Sequence, residues 1–416
     1  AIVFFHSSHI RKEVNMKENG NRLLDKSKKI GIITLYYKNN NYGGVAQAYA
    51  LCKYFEKIGF NAEMITYLPR KRNDSLGVSK KINAKKIILK LKNMTFTILE
   101  NTILKKQQIN INLLLSEREK KLENFRESIP HSIVYNYESI HNIENKYQYF
   151  VTGSDQCWNP GVIDDPYVFS FLDKKNKSIF SYASSIAVSE LSERYMKYME
   201  EELVKYDAIS VREKESKIPL SNITSKDVKW VIDPTILLNT EDWENIASKK
   251  LIEHKYIFCY FLGNDLAERK LAKRISKKLK LPLVTLPFIK SGNKFKFKIQ
   301  DYKFGNQQMI DIGFEDFLSL IKYAEYVITD SFHAVCFSYV FKKEFFAIEK
   351  KSLISTSSRI KNLLEVMEIP ERLIKNEKQI YIKKINYNKV KNKIDIFKKE
   401  SIKYLEQAIN DGDKHE

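Results

Sequence analysis

The sequence IGIITLYY at residues 30–37 decides the fold class of this chain. It is a continuous run of mainly β-branched and aromatic residues, which predicts a strand that is covered on both faces. After the loop 38–44, residues 45–58 carry apolar side chains at helical spacing until Gly59 ends the pattern. Residues 61–67 predict a second strand. A strand, a helix and a strand in this order form the repeating unit of a parallel α/β sheet.

The same alternation of strands and helices continues along most of the chain. The first series has further predicted strands at residues 149–152, 178–182, 208–211 and 228–233, with a predicted helix at 189–204. The second series has predicted strands at 256–262, 283–285 and 326–329 and predicted helices at 243–254, 265–280 and 314–324. Two series of comparable size predict an α/β protein with two Rossmann-like domains facing a cleft, which is a GT-B-like architecture. We expect residues 30–235 to form the first domain and residues 236–385 the second.

Three segments fall outside this alternation. Residues 1–29 predict a flexible N-terminal extension, residues 79–127 a basic helical insertion in the first domain, and residues 386–416 a basic C-terminal helix or tail. Residues 70–116 contain 11 basic and 2 acidic side chains, and residues 372–400 contain 10 and 3. Such segments are either solvated lysine-rich surface or surfaces that contact anions, and the sequence leaves both interpretations open.

The whole chain is basic, with 71 Lys and Arg against 51 Asp and Glu and a formal net charge of +20. This balance favours anionic partners such as nucleic acid, a membrane surface or phosphorylated substrates. No apolar run is long enough to predict a transmembrane helix. The four cysteines are far apart and have no histidine at ligand spacing. This pattern predicts reduced thiols in the cytoplasm and no metal site.

Ligands of a parallel α/β sheet bind at the carboxyl ends of its strands, so the loops after the predicted strands hold the candidate site residues. In the first of these loops Asn41 precedes Gly43 and Gly44. The glycines permit close approach of a ligand to the backbone, and asparagine side chains suit sugar hydroxyls. The alternative is a tight turn that binds no ligand.

A second polar loop, with Asp155, Gln156 and Trp158, follows the predicted strand at residues 149–152. A carboxylate beside an amide and an indole can orient and deprotonate a sugar hydroxyl while the ring stacks on the sugar. In the alternative interpretation Asp155 caps a turn and Trp158 belongs to the core.

Basic side chains follow two later strands. Arg212 offers a planar pair of donors to a carboxylate or phosphate, although a lone arginine is more often part of a surface ion pair. His333, with Ser331 beside it, enters a predicted helix at its N-terminus, where free backbone N–H groups bind phosphate. The helix dipole opposes protonation of His333, whereas a bound dianion or Asp330 favours it. This histidine is therefore the candidate acid of the site.

Six motifs carry a resemblance to a known family. They are NNNYGGVAQAYAL (39–51), GSDQCWNP (153–160), SVREKES (210–216), VIDPTILL (231–238), TDSFHAVCFS (329–338) and SRIKNLLE (358–365). Their order and spacing resemble those of polysaccharide pyruvyl transferases. The chain departs from that pattern at Ala334, where glycine is usual, and at Ser331, where some members have arginine.

The resemblance implies a GT-B-like enzyme that transfers the pyruvyl group of phosphoenolpyruvate to two hydroxyls of a sugar, giving a cyclic ketal and phosphate, without a metal or cofactor. His333 would be the acid or hold the phosphate, and Asp155 would be the base or orient the acceptor. The implied donor-binding residues are Arg212, Arg359, Ser331, Ala334 and Ser358. The implied acceptor-binding residues are Asn41, Gly43, Gly44, Gln47, Gln156 and Trp158.

The implied acceptor is a glycan or a polyprenyl-pyrophosphate-linked sugar of a bacterial surface polysaccharide. An acceptor of this kind places the basic insertion against an anionic membrane, and we expect a cytoplasmic protein held peripherally at the inner face of the cell membrane. One alternative is a GT-B glycosyltransferase that uses a nucleotide sugar. A second is a non-enzymatic protein that binds anionic polymers, although no motif of a nucleic-acid-binding fold accompanies the charge. A homodimer is left open.

Overall fold

A computed structural model describes residues 28–70, 108–174, 177–188, 190–289, 299–301, 303–349, 358–380 and 383–413. The predicted extension therefore lies outside the described residues up to residue 27. The predicted basic insertion lies outside them up to residue 107. Among the described helices, none combines the length and the apolar character that a membrane crossing requires.

The N-terminal half of the described chain is built on a parallel sheet. Its strands are β1 (Lys29–Ile33), β2 (Asn61–Met64), β3 (Tyr149–Thr152) and β4 (Ser178–Ser181), in the spatial order β2-β1-β3-β4. A parallel pair, β5 (Ile209–Val211) and β6 (Val228–Trp230), continues this sheet through single bridges such as Phe180 to Ala208. The helices of this half are α1 (Tyr42–Lys57), α2 (Gln108–Glu127), α3 (Glu193–Leu203) and α4 (Lys214–Ser221).

Two short helices, α5 (Pro234–Leu237) and α6 (Thr240–Glu244), lead from this sheet to the second one. The second sheet comprises β7 (Ile257–Phe261), β8 (Leu283–Pro287), β9 (Gln307–Gln308), β10 (Tyr326–Thr329), β11 (Glu344–Ile348) and β12 (Leu373–Ile374). In the described residues its order is β12-β11-β10-β7-β8-β9, with all neighbours parallel. Its helices are α7 (Leu266–Leu279), α8 (Phe314–Lys322), α9 (Phe332–Val340), α10 (Ser358–Val366) and α11 (Tyr387–Asp413).

The two halves pack against each other through the buried face of α1. The ring of Tyr42, at the start of α1, stacks on Phe317 of α8 with centroids 4.6 Å apart, and its hydroxyl donates to the Ile312 carbonyl at 2.6 Å. The last helix, α11, then returns to the first sheet, where the Tyr404 hydroxyl donates to the Ser181 carbonyl at 2.6 Å. One apolar core consequently extends from β1 to α11.

The prediction of an α/β fold with parallel sheets is confirmed. Strand β1 ends at Ile33, earlier than predicted, because the chain turns where the Tyr36 N–H donates to the Thr34 carbonyl at 3.0 Å. The predicted helix at residues 243–254 is wrong. Helix α6 ends at Glu244, and the Ser248 N–H instead donates to the Glu315 carbonyl of α8 at 3.0 Å.

Candidate active site

Arg212 lies at the centre of a buried polar cluster at the carboxyl ends of the strands of the first sheet, where ligands of parallel sheets bind. It follows β5, and its Nη1 donates to Asp233 Oδ2 at 2.9 Å and to Ser154 Oγ at 3.1 Å. Its Nη2 donates to Asp155 Oδ1 at 3.3 Å. One guanidinium therefore joins the loop after β3 to the loop after β6.

His333 comes from the second sheet and completes this cluster. It is the second residue of α9, whose N-cap is Ser331, and it is buried. Its Nε2 lies 3.4 Å from Arg212 Nη1 and 3.5 Å from Asp233 Oδ2. The neutral imidazole can accept a hydrogen bond from Arg212, and the protonated imidazole can donate one to Asp233. The imidazole therefore has a hydrogen-bond partner in both of the protonation states that an acid catalyst adopts.

Gly43 brings the first turn of α1 against the other side of the imidazole. A Cβ atom built on Gly43 would lie 2.0 Å from His333 Nδ1, so a side chain at this position would displace the ring. The Asn41 side chain caps α1 by accepting the Gly43 N–H at 3.1 Å. The glycine predicted for ligand approach therefore also permits the close approach of His333.

Asp233 stays ionised although it is fully buried. Burial opposes its ionisation, but the charge and hydrogen bond of His333, the charge of Arg212 and the Thr235 N–H outweigh burial and lower its pKa. Its Oδ1 also accepts from Thr235 Oγ1 at 2.7 Å. Burial likewise opposes the charge of Arg212, but Asp233 and Asp155 raise the pKa of its guanidinium. The site thus contains a fixed carboxylate and a fixed cation beside the imidazole.

Arg359, on α10, lies close to this cluster and is only 9% exposed. Within the described part of the chain it donates no hydrogen bond, and the carboxylate oxygen nearest to it, Glu213 Oε1, is 3.9 Å from its Nε. Burial raises the pKa of Glu213, which weakens that attraction. Burial, and then the charge of Arg212, lower the pKa of Arg359. A buried guanidinium in this state strongly favours a bound anion.

Phe332 holds the two arginines in one place. Its ring centroid is 5.0 Å from the guanidinium carbon of Arg212 and 5.9 Å from that of Arg359. Both arginines have a buried Nε without a hydrogen-bond partner in the described residues. A cavity of about 20 Å³ borders the two arginines, Phe332 and Asp233. The arrangement is a pair of cations with unused donors, next to an imidazole.

Asp155 adopts a strained backbone conformation in the loop after β3. Its φ is 73°, in the left-handed region that non-glycine residues rarely adopt. Its carbonyl accepts the Ser185 N–H at 2.9 Å, and its side chain reaches Arg212. Strain of this kind is retained where the surrounding structure requires it, commonly at functional sites.

The sequence-predicted acceptor residues are not all placed alike. Trp158 is fully buried, packs on Tyr206 and donates through Nε1 to the Tyr167 carbonyl at 3.4 Å, which leaves its ring no face for a sugar. Gln47 is also fully buried, and its Nε2 donates to Thr34 Oγ1 at 2.9 Å. The structure therefore places both of these side chains in the core, against the prediction.

Other predicted residues lie at or near the cluster. Gly44 closes the first turn of α1, and Gln156 is half-buried beside Asp155 in the loop after β3. Ser331 and Ala334 are buried at the start of α9. The helix that carries Arg359 begins at Ser358. These positions agree with the predicted grouping, and the role of each residue stays a prediction.

The carboxylate that faces His333 is Asp233 and not Asp330. Asp330 accepts the backbone N–H groups of Leu262 at 2.6 Å and Gly263 at 2.7 Å, at the end of β7. Asp233 lies in the motif VIDPTILL, and no role was predicted for it from the sequence. Its position directly after a strand is the signal by which it could have been found.

A further arginine missed from the sequence is Arg118 of α2. It is buried, its guanidinium lies 4.9 Å from the ring centroid of Tyr42, and its Nη1 donates to the Pro287 carbonyl at 2.8 Å. Arg118 thus links the described end of the insertion to both halves of the molecule.

Metal-ligand chemistry is not apparent in the described ranges. Within them, no three His, Cys, Asp or Glu side chains are grouped as ligands of a metal ion would be. All four cysteines are described, and each is a buried free thiol.

Sequence and structure comparisons identify what this chain resembles. The sequence model of the family described as polysaccharide pyruvyl transferase matches residues 41–352. No curated protein sequence matches the chain.

Solved structures with a similar arrangement are remote. One from Listeria monocytogenes, assigned as a UDP-N-acetylglucosamine 2-epimerase, is 10% identical, covers 93% of this chain and 90% of its own, and has a TM-score of 0.47. S. aureus MnaA in complex with UDP is 12% identical and has a TM-score of 0.45, and the match covers 88% of this chain and 87% of MnaA. Acinetobacter baumannii MurG is 12% identical and has a TM-score of 0.38, and the match covers 91% of this chain and 94% of MurG. At TM-scores this low, the likenesses support no inference about this chain.

Proposed function

Because this chain belongs to the polysaccharide pyruvyl transferase family and is therefore a transferase, we propose that it transfers pyruvyl from phosphoenolpyruvate to two hydroxyls of one sugar. The products are a cyclic ketal and phosphate. Family membership implies the phosphoenolpyruvate donor and a polysaccharide acceptor. We assign acceptor binding to a first Rossmann-like domain, residues 30–235, and donor binding to a second, residues 236–385, in a GT-B-like arrangement. Membership of an enzyme family contradicts the non-enzymatic alternative.

The observation that carries this proposal is the unused arginine beside the histidine. Phosphoenolpyruvate has a carboxylate and a phosphate on one small carbon skeleton, and guanidinium groups bind both of these anions well. Arg359 and the free Nε of Arg212 flank Phe332 close to His333. Ser331 and the N-terminal N–H groups of α9, including that of Ala334, add donors for phosphate.

The reaction requires an acid next to this anion site. In the proposed mechanism the His333 imidazolium gives its proton to C3 of phosphoenolpyruvate, which leaves C2 electron-deficient. One sugar hydroxyl adds to C2 and loses its proton to Asp155. The bond between C2 and the phosphate oxygen then breaks, and phosphate departs with the electron pair and takes the proton held by Asp155. The second hydroxyl adds to C2 and gives its proton to the His333 imidazole, which restores the imidazolium. Asp233 lies 3.5 Å from His333 Nε2 and keeps the imidazole oriented.

The assay that tests this function compares two donors with the same purified protein. With phosphoenolpyruvate and a panel of sugar acceptors, we expect acceptor-dependent release of phosphate together with an acetal carbon that is detectable by NMR. With nucleotide sugars we expect no release of nucleotide. Nucleotide release without consumption of phosphoenolpyruvate would instead support the GT-B glycosyltransferase alternative.

Arg359→Gln should weaken donor binding without unfolding the protein. Hydrogen bonds to charged groups contribute about 1.5–3 kcal/mol, so the KM for phosphoenolpyruvate should rise roughly 10- to 100-fold. Stability should change little, because Arg359 donates no hydrogen bond to the described chain. Steady-state kinetics and thermal unfolding measure the two effects. Lys361→Gln, a charge removal on the same helix at a 63% exposed side chain, should leave the KM unchanged, and equal effects of both variants would contradict the assignment.

We also propose that the protein works at the inner face of the cell membrane, on a polyprenyl-pyrophosphate-linked acceptor. The support is the net positive charge of residues 70–116, since each Lys or Arg near an anionic surface contributes about 1 kcal/mol. Co-sedimentation with vesicles that contain anionic lipid should therefore decrease as salt is raised, and vesicles of neutral lipid should bind little protein. Binding that ignores both salt and lipid charge would refute this localisation.

A further inference from the structure

A second cavity lies away from the active site. It lies between the segment that connects the two sheets and the last helix, α11, which packs back on the first sheet. Its volume is about 190 Å³. Three segments line it: the residues around α6, the end of α9, and the first half of α11. The polar and charged lining residues used below are Asn239, Thr240, Tyr339, Lys342, Lys391, Asp395 and Lys398. We call this cavity the linker pocket.

The linker pocket has an excess of positive charge. Three lysines line it against a single carboxylate, Asp395, and that carboxylate already forms an ion pair with Lys391. Lys398 is partly buried and has neither an ion pair nor a hydrogen bond to the described residues. Burial lowers the pKa of its ammonium group. Asp395 and Asp242 attract this ammonium group without pairing with it, so a cation that has lost part of its hydration is stabilised further by a bound anion.

The size of the linker pocket limits the ligand. A volume of about 190 Å³ corresponds to roughly six waters at about 30 Å³ each. This is enough for a phosphate group with a short carbon body. The Thr240 and Tyr339 side chains and the Asn239 amide offer neutral polar groups for the body of such a ligand. The chemistry thus fits inorganic phosphate or a small phosphate monoester.

Two short segments connect the linker pocket to the active site. Helix α9 has His333 in its first turn, and its last residue, Val340, lines the pocket roughly 10 Å further along at 1.5 Å per residue. Helix α5 is capped by Asp233, whose Oδ1 accepts the Thr235 N–H at 3.0 Å, and Ile236 of the same helix lines the pocket. The acid and its carboxylate partner therefore each stand at the far end of an element that the ligand would touch.

We propose that the linker pocket is a regulatory site for a small phosphate-bearing anion, and that occupation of the site shifts the positions of His333 and Asp233. Lys398 supplies the main charge contact, and Lys342 and Lys391 add long-range attraction from the rim. The pocket is separate from the donor site, so the binding of the anion does not depend on the identity of the reaction, whereas the regulatory role rests on the proposed function.

Calorimetric titration tests the binding. The probes are inorganic phosphate and glycerol 2-phosphate, and the protein is the Arg359→Gln variant, in which anion binding at the donor site is weakened. We expect saturable binding that becomes at least tenfold weaker when Lys398→Gln is added. Lys393→Gln, on the same helix but paired with Glu368 at 2.7 Å, should bind as tightly as its parent. Unchanged affinity in the Lys398→Gln variant, or equal competition by chloride at matched ionic strength, would overturn the proposal.

The two probes distinguish the sources of the ligand. Tighter binding of inorganic phosphate would identify the reaction product as the ligand, and tighter binding of glycerol 2-phosphate would identify a phosphate ester; both results require the same lysine. If Lys398→Gln does not fold, Lys342→Gln on the exposed rim should still weaken binding severalfold. In the wild-type enzyme, glycerol 2-phosphate should change kcat at saturating donor at least twofold, and Lys398→Gln should abolish that response. No change in wild-type kcat would overturn the regulatory role.

Discussion

His333→Ala should lower kcat by about 10²- to 10⁴-fold, which is the contribution expected of a positioned general acid. The imidazole lies 3.4 Å from Arg212 Nη1 and 3.5 Å from Asp233 Oδ2. Neither of these two neighbours is suited to replace it as the acid, because the pKa of the Arg212 guanidinium is raised and that of the Asp233 carboxyl is lowered. The KM for phosphoenolpyruvate should change far less, because both arginines remain. Acceptor-dependent phosphate release measures both parameters.

The matched control for this variant is His131→Ala. His131 is a part-exposed histidine, 3.4 Å from Glu127 on the surface of the first half. Its removal should leave kcat unchanged, and thermal unfolding should show that both variants are folded. If His333→Ala were folded and turned over at near wild-type rates, the acid assignment would be wrong.

Arg212→Ala should abolish activity and also destabilise the fold. The guanidinium is buried between Asp233 and Asp155, and removing one partner of such a group leaves the others as uncompensated buried charges. The expected loss is about 3–5 kcal/mol of unfolding free energy. Denaturant unfolding measures this loss. The stability that Asp233 contributes depends on pH. Because its pKa is lowered in the native state, its carboxylate stabilises that state above the normal pKa of an aspartate, and this contribution disappears as pH falls well below that value.

Arg372→Ala distinguishes the loss of activity expected for Arg212→Ala from its loss of stability. Arg372 is equally buried and pairs with Glu344 at 3.1 Å, at the amino end of β11, whereas His333 follows the carboxyl end of the neighbouring strand β10. Its loss should cost a similar free energy of unfolding but leave kcat intact at temperatures where the protein is folded. Equal loss of activity in both variants would mean that Arg212 acts only through stability.

The position of the site was predictable from sequence because of the geometry of parallel sheets. The strands of one parallel sheet end at the same edge, so the loops that contain Asp155 and Arg212 had to come near one another if the strand predictions were right. His333 comes from the second sheet and reaches them through the packing of the two halves. The structure places the Asp155 and His333 side chains beside the guanidinium of Arg212. No knowledge of side-chain contacts was needed for that expectation.

The choice of carboxylate was not predictable in the same way. Asp330 is close to His333 in the chain, whereas Asp233 is 100 residues away, and only Asp330 was predicted to act on the imidazole. In the structure two backbone N–H groups just after β7 donate hydrogen bonds to the Asp330 carboxylate, and Asp233 is the carboxylate that faces the imidazole. Which group a carboxylate contacts is determined by tertiary packing that local sequence does not record.

Burial misled two further predictions. Trp158 follows a strand in a polar loop, a context typical of a stacking platform, but its ring fills the space beside Tyr206 in the core. Residues 243–254 have apolar side chains at helical spacing, yet the chain leaves the helix after Glu244 to pair with α8. In both cases the local sequence is compatible with two structures, and contacts between residues that are distant in sequence decide between them.

The most direct measurement of the central claim is a crystal structure with phosphoenolpyruvate bound. The account predicts density for the donor beside Phe332, with its phosphate and carboxylate within hydrogen-bond distance of the Arg359 and Arg212 guanidinium groups and with C3 facing the His333 imidazole. Density for the donor at a place that contacts neither arginine, with His333 remote from C3, would contradict it.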